Sequence, residues 1–268
     1  MSRLTFRDKQ PEVCWQKLKR DQHNNEGLPP VESLDISKAT IRKVSRRFAE
    51  QIILKYEWLG TMASTGYHYG IFFGEYCAGV CCFAVGGGGA NVYAHKEFNV
   101  ERNEMAYLAR GACVHWAPAG SNSKLISWSC KLIAKDTKAK IVIAYSDTDA
   151  GEIGTVYQAC NWDYIGRGSS TRQWIAPNGR ILDQKLPYNL KIQKGGTRAY
   201  WVERLKKDGY VEQISNPKHR YVYVLDKKDK NLAEIINNKR MDYPKRPKQA
   251  MSDVQSGSGG AAPTRTLQ

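Results

Sequence analysis

Residues 141–166 read IVIAYSDTDAGEIGTVYQACNWDYIG. Ile141 to Ala144 are a short apolar run rich in β-branched residues that stops at Tyr145-Ser146-Asp147, the pattern of a buried strand. Thr148, Asp149 and Gly151 are turn residues. Glu152 to Trp162 leaves room for about three helical turns, with Ile153, Val156, Tyr157 and Cys160 on one side. Tyr164-Ile165-Gly166 opens the next strand. Open α/β sheets bind ligands at the carboxyl ends of their strands. Asp147 stands at such an end and Tyr157 follows on the helix, so these two residues are the first candidates for chemistry. The plainer roles are a helix N-cap for Asp147 and a core tyrosine for Tyr157.

Working outward, Leu34 to Ala39 reads as a short strand. Thr40 to Tyr56 carries Ile41, Val44, Phe48, Ile52, Ile53 and Leu54 at helical spacing, with Arg42, Lys43, Arg46 and Arg47 opposite. Tyr67–Phe73 and Cys77–Val85 form a hairpin through Gly74-Glu75-Tyr76. The run Gly86–Gly89 lacks the Lys-Ser/Thr of a P-loop and reads as a loop, and His95 and Phe98 lie in a polar connection. Glu104 to Val114 is a strand, followed by a Pro/Gly loop at Trp116–Ser121 and a helix opened by Asn122-Ser123. A loop feeding a helix N-terminus presents free N–H groups to an anion; capping by Ser121, Asn122 or Ser123 is the plainer alternative. No Gly-x-Gly-x-x-Gly follows the first strand, so the chain is not of the Rossmann type.

The 268 residues carry a net charge of +15 and a pI near 9.5, which favours a polyanionic partner. Lys191 to Lys248 holds 16 Lys/Arg against 7 Asp/Glu. Tyr200, Trp201, Tyr210, Tyr221 and Tyr223 interleave with these cations, as suits phosphate contact and base stacking. Pro177-Asn178-Gly179 signals another hairpin, Thr197–Tyr210 a helix, and Val211–Ile214 and Arg220–Leu225 two strands. Seven cysteines without a Cys-x-x-Cys pair or a signal peptide indicate reduced thiols rather than a disulfide or zinc framework. No apolar run approaches the roughly 20 residues of a membrane span. The organisation expected is a polar arm at 1–35, an α/β core at 36–166, a basic DNA-contacting extension at 167–248 packed on that core, and a disordered tail at 249–268. Nothing in the sequence sets an oligomeric state.

The order of elements resembles the acyl-CoA-dependent N-acetyltransferase (GNAT) fold, a mixed, mostly antiparallel central sheet flanked by helices. More specifically, AYLARGACVH, then GSNS opening a helix, then AYSDTDAGEIGTVYQACNWDYIG resemble the bacteriophage Mom group of DNA adenine-modifying proteins. The likeness runs from Ile36 to Gly166 and, more weakly, to Tyr243-Pro244-Lys245. It implies an enzyme, active in the cytoplasm of the bacterial host, that turns the exocyclic amine of adenine in double-stranded DNA into a carbamoylmethyl derivative and so shields the DNA from restriction. It also implies an acetyl-CoA or related acyl-CoA cofactor, its pantetheine between two splayed central strands and its pyrophosphate at the next loop and helix N-terminus. Here those would be Met105–Val114, Trp116–Ser121 and Asn122/Ser123.

Residue by residue, Arg110 matches the group's arginine in the strand, Ser123 its serine at the helix start, and Asp147 and Tyr157 its aspartate and tyrosine. By this likeness Arg110, Asn122 and Ser123 bind cofactor, and Asp147, Tyr157 and Tyr56 are catalytic. Asp147 would accept a hydrogen bond or proton from the adenine amine, and Tyr157 would donate a proton to the leaving group or orient it. Trp58, Tyr67 and Tyr69 are candidates to stack on a flipped base. Two departures stand out. The pyrophosphate signature Arg/Gln-x-x-Gly-x-Gly/Ala is absent after the Glu104–Val114 strand. The His-Tyr pair proposed to hold iron in the group is replaced by Lys55-Tyr56 or Tyr56-Glu57; Tyr56 with Glu57 and Asp147 could still ligate a hard or borderline ion, though no spacing rule demands it. The alternatives are a GNAT enzyme acting on another amine and a non-catalytic DNA-binding protein.

Overall fold

A computed structural model describes residues 14–29, 34–86, 94–179 and 181–246. The strands in chain order are β1 (Thr40–Lys43), β2 (Tyr67–Phe73), β3 (Tyr76–Val85), β4 (Met105–Cys113), β5 (Ile141–Ser146), β6 (Asp163–Arg167), β7 (Arg172–Ile175), β8 (Ile181–Asp183), β9 (Val211–Ile214) and β10 (His219–Val224). Seven of them make the main sheet in the order β1-β2-β3-β4-β5-β10-β6, and β8-β7-β9 make a small second sheet. In the main sheet every neighbouring pair is antiparallel except β4 and β5. Helices are α1 (Trp15–Asp21), α2 (Arg46–Tyr56), α3 (Ala94–Glu97), α4 (Ser121–Asp136), α5 (Thr155–Ala159), α6 (Leu186–Lys194), α7 (Arg198–Lys207) and α8 (Lys230–Lys239). This is the mixed, mostly antiparallel sheet with flanking helices that the GNAT resemblance implies.

The unbroken apolar run of β5 follows from burial on both faces. Its side chains alternate: Val142 and Ala144 join one core with α2, α4 and Trp162, while Ile141 and Ile143 join another with Phe98, Leu232 and Ile236. All seven cysteines are free thiols. Burial raises the thiol pKa of six of them, from Cys77 to Cys160, which keeps them protonated and inert.

Several elements differ from the sequence expectation. Thr40–Lys43 is a strand paired with Tyr69–Phe72, and the helix starts only at Arg46, because Ser45 caps it by accepting from the Phe48 amide at 3.2 Å. Leu34–Ala39 is not a strand but holds a single 3-10 turn, Ile36–Lys38, capped by Asp35. The described part of the polar arm is ordered. Gln16 on α1 donates to the Tyr56 carbonyl at 2.7 Å and accepts from the Trp58 amide at 3.2 Å, closing the C-terminus of α2. The connection holding His95 contains α3 and the fully buried Phe98. Residues 87–89 of the glycine run, and the tail from 249 onward, lie outside the described residues. The helix expected from Glu152 to Trp162 is only Thr155–Ala159. Gly151 and Gly154 take left-handed backbone on its N-terminal side, and Asn161 does so just beyond its end.

The largest departure is β10. It belongs to the segment expected as an extension, yet it runs between β5 and β6, with six residues in register from His219↔Ser146 to Val224↔Ile141. Tyr221 and Val222 are fully buried, so Tyr221 is a core residue and not a nucleic-acid contact. Its hydroxyl donates to the Ile153 carbonyl and accepts from Gln158 at 3.0 Å, which holds the turn into α5. Gly154 sits directly on this ring at φ +71, where a Cβ would overlap it. Gly154→Ala therefore combines backbone strain with overpacking and should cost roughly 2–4 kcal/mol, read as a lower urea midpoint at unchanged slope.

Candidate active site

The site is made by two parallel strands that separate. β4 and β5 pair from Met105↔Ile141 to Leu108↔Ala144 and no further. At the same point the β3–β4 register shifts, so that Arg110 faces Cys82 while Leu108 faces Phe83 and Ala109 is the extra residue. A bulge of this kind bends a strand. β4 is buried through Leu108, whereas Ala109 and Arg110 are half-buried and Gly111, in mid-strand, is exposed. Among the described residues the edge of β4 from Ala109 onward thus has no strand on its β5 side, and the two strands open a cleft at their carboxyl ends.

On the β5 side of the cleft stands Asp147. It is the N-cap of a 3-10 turn, accepting from the Asp149 amide at 2.9 Å, and its other oxygen meets Lys218 Nζ at 2.9 Å. A carboxylate has about four acceptor sites, so the cap and the ion pair leave Asp147 able to accept from a ligand. Behind it, Glu152 accepts from the Asp147 amide at 2.9 Å. Burial, reinforced by the charges of Asp147 and Glu57, pushes the Glu152 carboxyl up to about 7. Burial raises Glu57 as well, opposed first by Arg110. Arg110 itself donates to the Thr61 carbonyl at 2.8 Å and the Ala109 carbonyl at 2.7 Å, tying the loop after α2 to the bulge.

Tyr157 stacks its ring against Trp162 and Tyr221, and its hydroxyl makes no hydrogen bond among the described residues. Burial, with the nearby Glu152 charge, raises its pKa well above that of a free tyrosine, so it is a neutral donor at physiological pH. Asp147, Glu152 and Tyr157 are therefore one cluster, and Glu57, Arg110 and Lys218 supply its surrounding charge.

Tyr56 stands elsewhere. It is buried, and its hydroxyl meets His115 Nδ1 at 3.2 Å. His115, with Arg20 from α1 and the first residues of α4, lines a cavity of about 280 Å³. Asn122 and Ser123 line it too; Arg110 does not. The N-cap of α4 is Gly120, at φ +84, with no side-chain cap, in place of the expected Ser121, Asn122 or Ser123. The buried atoms His115 Nε2 and Ser121 Oγ have no hydrogen-bond partner among the described residues. Orphaned polar atoms beside a helix N-terminus and an arginine fit an anionic group. An iron site fits less well: among the described residues no three His, Cys, Asp or Glu side chains group as metal ligands. Tyr69, a stacking candidate, is fully buried and donates to Asp136 at 3.0 Å; Trp58 and Tyr67 remain half-buried.

Lys218 and Arg20 carry no motif in the sequence and enter through contacts distant along the chain. His115 and Glu152 lie inside the stretches that carry the resemblance, and Glu57 stands there only as a candidate ligand; the sequence gives none of the three its present role. A raised carboxyl pKa means the folded state holds its proton more tightly than the unfolded chain. That stabilisation is complete below about 4.5 and is lost as pH rises through about 7. Glu152→Gln should accordingly gain roughly 1–3 kcal/mol over wild type at pH 8 and almost nothing at pH 4.5, measured by chemical unfolding at the two pH values.

The chain is 26% identical over 183 residues to the methylcarbamoylase Mom of Escherichia phage Mu, covering 66% of this chain and 71% of that protein. Similar solved structures include a spermidine N-acetyltransferase from Vibrio cholerae in complex with CoA and spermine, at 9% identity and a TM-score of 0.41, covering 71% of this chain and 98% of that one. An N-acyl amino acid synthase from uncultured soil microbes matches at 14% identity and a TM-score of 0.40, covering 71% and 92%. The Mom protein family matches residues 38–245, and the chain belongs to that family.

Proposed function

We propose that this protein modifies DNA, converting the exocyclic amine of adenine to its carbamoylmethyl derivative. The observation that carries the reading is the cluster of Asp147, Glu152 and Tyr157 at the open ends of β4 and β5 in a chain of the Mom family. An adenine amine has its lone pair drawn into the ring and is a weak nucleophile. Asp147 accepts a hydrogen bond from that amine and takes its proton as the new carbon–nitrogen bond forms. Lys218, 2.9 Å away, holds the carboxylate in place. Tyr157, whose hydroxyl has no hydrogen-bond partner among the described residues, donates to the leaving group. The target base must leave the duplex stack to reach the cleft, and restriction enzymes then meet an altered base.

The cleft supports an acyl-CoA ligand. The unpaired edge of β4 from Ala109 to Cys113 offers backbone groups to a pantetheine arm. The cavity at the start of α4 would take its pyrophosphate, with Arg20, His115 and Ser121 in place of the missing glycine-rich signature. Bound there, an acyl-CoA would supply the activated carbon unit. Direct attack on its carbonyl would give an N-acyl adenine, so the carbamoylmethyl product needs the new bond at the carbon next to the carbonyl and an amine donor for the amide nitrogen.

Two measurements test the reading. Mass spectrometry of nucleosides from plasmid DNA of expressing cells should show a heavier adenosine with wild type and none with Asp147→Ala, although that variant still binds duplex. Modified adenosine from Asp147→Ala would remove Asp147 from the reaction, and its absence with soluble wild type would refute the function. Separately, Arg20→Ala should weaken acetyl-CoA binding about tenfold by calorimetry, as expected for loss of one charge-assisted contact; unchanged affinity would move the cofactor away from this cavity.

A further inference from the structure

Residues 168–218 leave the main sheet after β6 and return to it at β10, folding as a small lobe of β7, β8, β9, α6 and α7. We propose that this lobe is the surface that holds the DNA duplex, with a phosphate pocket formed by Arg172, Lys185 and Arg198. The proposal rests on the DNA reading above and adds where the duplex sits.

The first observation is chemical. The lobe carries ten Lys/Arg against four Asp/Glu, and three of those acids, Glu203, Asp208 and Glu212, are ion-paired to Lys206, Arg204 and Arg172. Arg172, Lys185 and Arg198 converge with Gln184, Tyr188 and Glu212 around a cavity of about 180 Å³. Arg198 is the first residue of α7, whose free N–H groups add to the attraction for an anion. Trp174 and Leu205 are buried in the lobe, but Tyr188, Ile192, Tyr200 and Ile214 are exposed beside the cations. Rings and apolar side chains set among cations suit the sugars and bases of nucleic acid as well as its phosphates.

The second observation is positional. The lobe is tied to the loop that carries Asp147. Asn216 donates to the Asp149 carboxylate through its backbone at 3.1 Å and its side chain at 2.5 Å. Thr148 Oγ1 donates to the Pro217 carbonyl at 3.2 Å, and the Gly168 amide to the Lys218 carbonyl at 2.8 Å. Lys218, the last residue of the lobe, is the partner of Asp147. A duplex gripped on the lobe is thereby held at the end of the sheet where the cleft opens. Flipping one base requires such a grip on the flanking backbone.

The test is fluorescence anisotropy of the full chain on a short labelled duplex across a salt series, with modified adenosine in expressing cells measured in parallel. Arg172→Ala/Arg198→Ala should bind at least about tenfold more weakly, with a slope of log affinity against log salt shallower by about two, and should yield less modified adenosine. Arg172→Lys/Arg198→Lys should recover most of both. Lys227→Ala/Lys228→Ala removes the same charge from the opposite end of the sheet, in the exposed turn after β10, and should bind as wild type does. Wild-type affinity in the arginine-to-alanine variant, with thermal melting unchanged and wild type still modifying DNA, overturns the lobe proposal and spares the function. Equal loss in the Lys227/Lys228 variant overturns it as well, leaving only general charge attraction. Wild type that neither binds duplex nor modifies adenine overturns the function, and the lobe would then fit an acidic protein surface instead.

Discussion

Strand β10 holds the site together because it is anchored on both edges. It pairs with β5 over six residues and with β6 beyond, and its Tyr221 and Val222 are sealed in the two cores. From that fixed strand three things follow. The residue before it, Lys218, arrives beside Asp147. The Tyr221 ring fills the space under Gly154 and positions the turn into α5, hence Tyr157. The chain between β6 and β10 has both ends in adjacent strands, so whatever folds there is set at the carboxyl end of β5. A slip of one residue would turn Tyr221 to the opposite face and separate Lys218 from its partner.

The cleft depends on a second constraint, the end of pairing between β4 and β5. Sheets rarely leave a central strand edge unpaired, since unsatisfied backbone groups are costly when buried. Here the bulge at Ala109 and the exposure of Gly111 mark where the edge becomes accessible, before Ala112 and Cys113 are buried again. The price in stability is a short unpaired edge and two buried carboxyls, Glu57 and Glu152, that resist ionisation. Arg110 and Lys218 offset part of that cost. Both also have structural partners, so the charges that tune the site are also the charges that hold its loops.

The residues on the helix side show the same economy. α1 closes the end of α2 through Gln16 and supplies Arg20 to the cavity at the start of α4. His115, which contacts Tyr56, lines the same space, and its other nitrogen is buried without a hydrogen-bond partner among the described residues. A glycine-rich phosphate signature is missing from the loop, and the space at the start of α4 is lined instead by Arg20 from α1, His115, and the serines of the helix start.

Much was legible along the chain because it is local. The hairpin of β2 and β3 is marked by alternation around Gly74, β5 by a β-branched run, and the placement of Asp147 at its end by the turn residues that follow. Two helices depart from their local pattern through distant contacts: Thr40–Lys43 has helical spacing but pairs with β2, and the helix after Asp147 is cut short because Gly154 must clear Tyr221. By itself the sequence determined a mixed α/β chain with a basic later half and identified Asp147, Tyr157 and Ser123 as positions of interest, since strand runs, turn residues and charge are properties of neighbours. Only the tertiary structure decided that β10 enters the sheet, that Lys218 and Glu152 surround Asp147, that Tyr56 belongs with His115, and that the basic lobe adjoins the cleft. Those are pairings between residues tens of positions apart, and they are set by register and packing that no local pattern encodes.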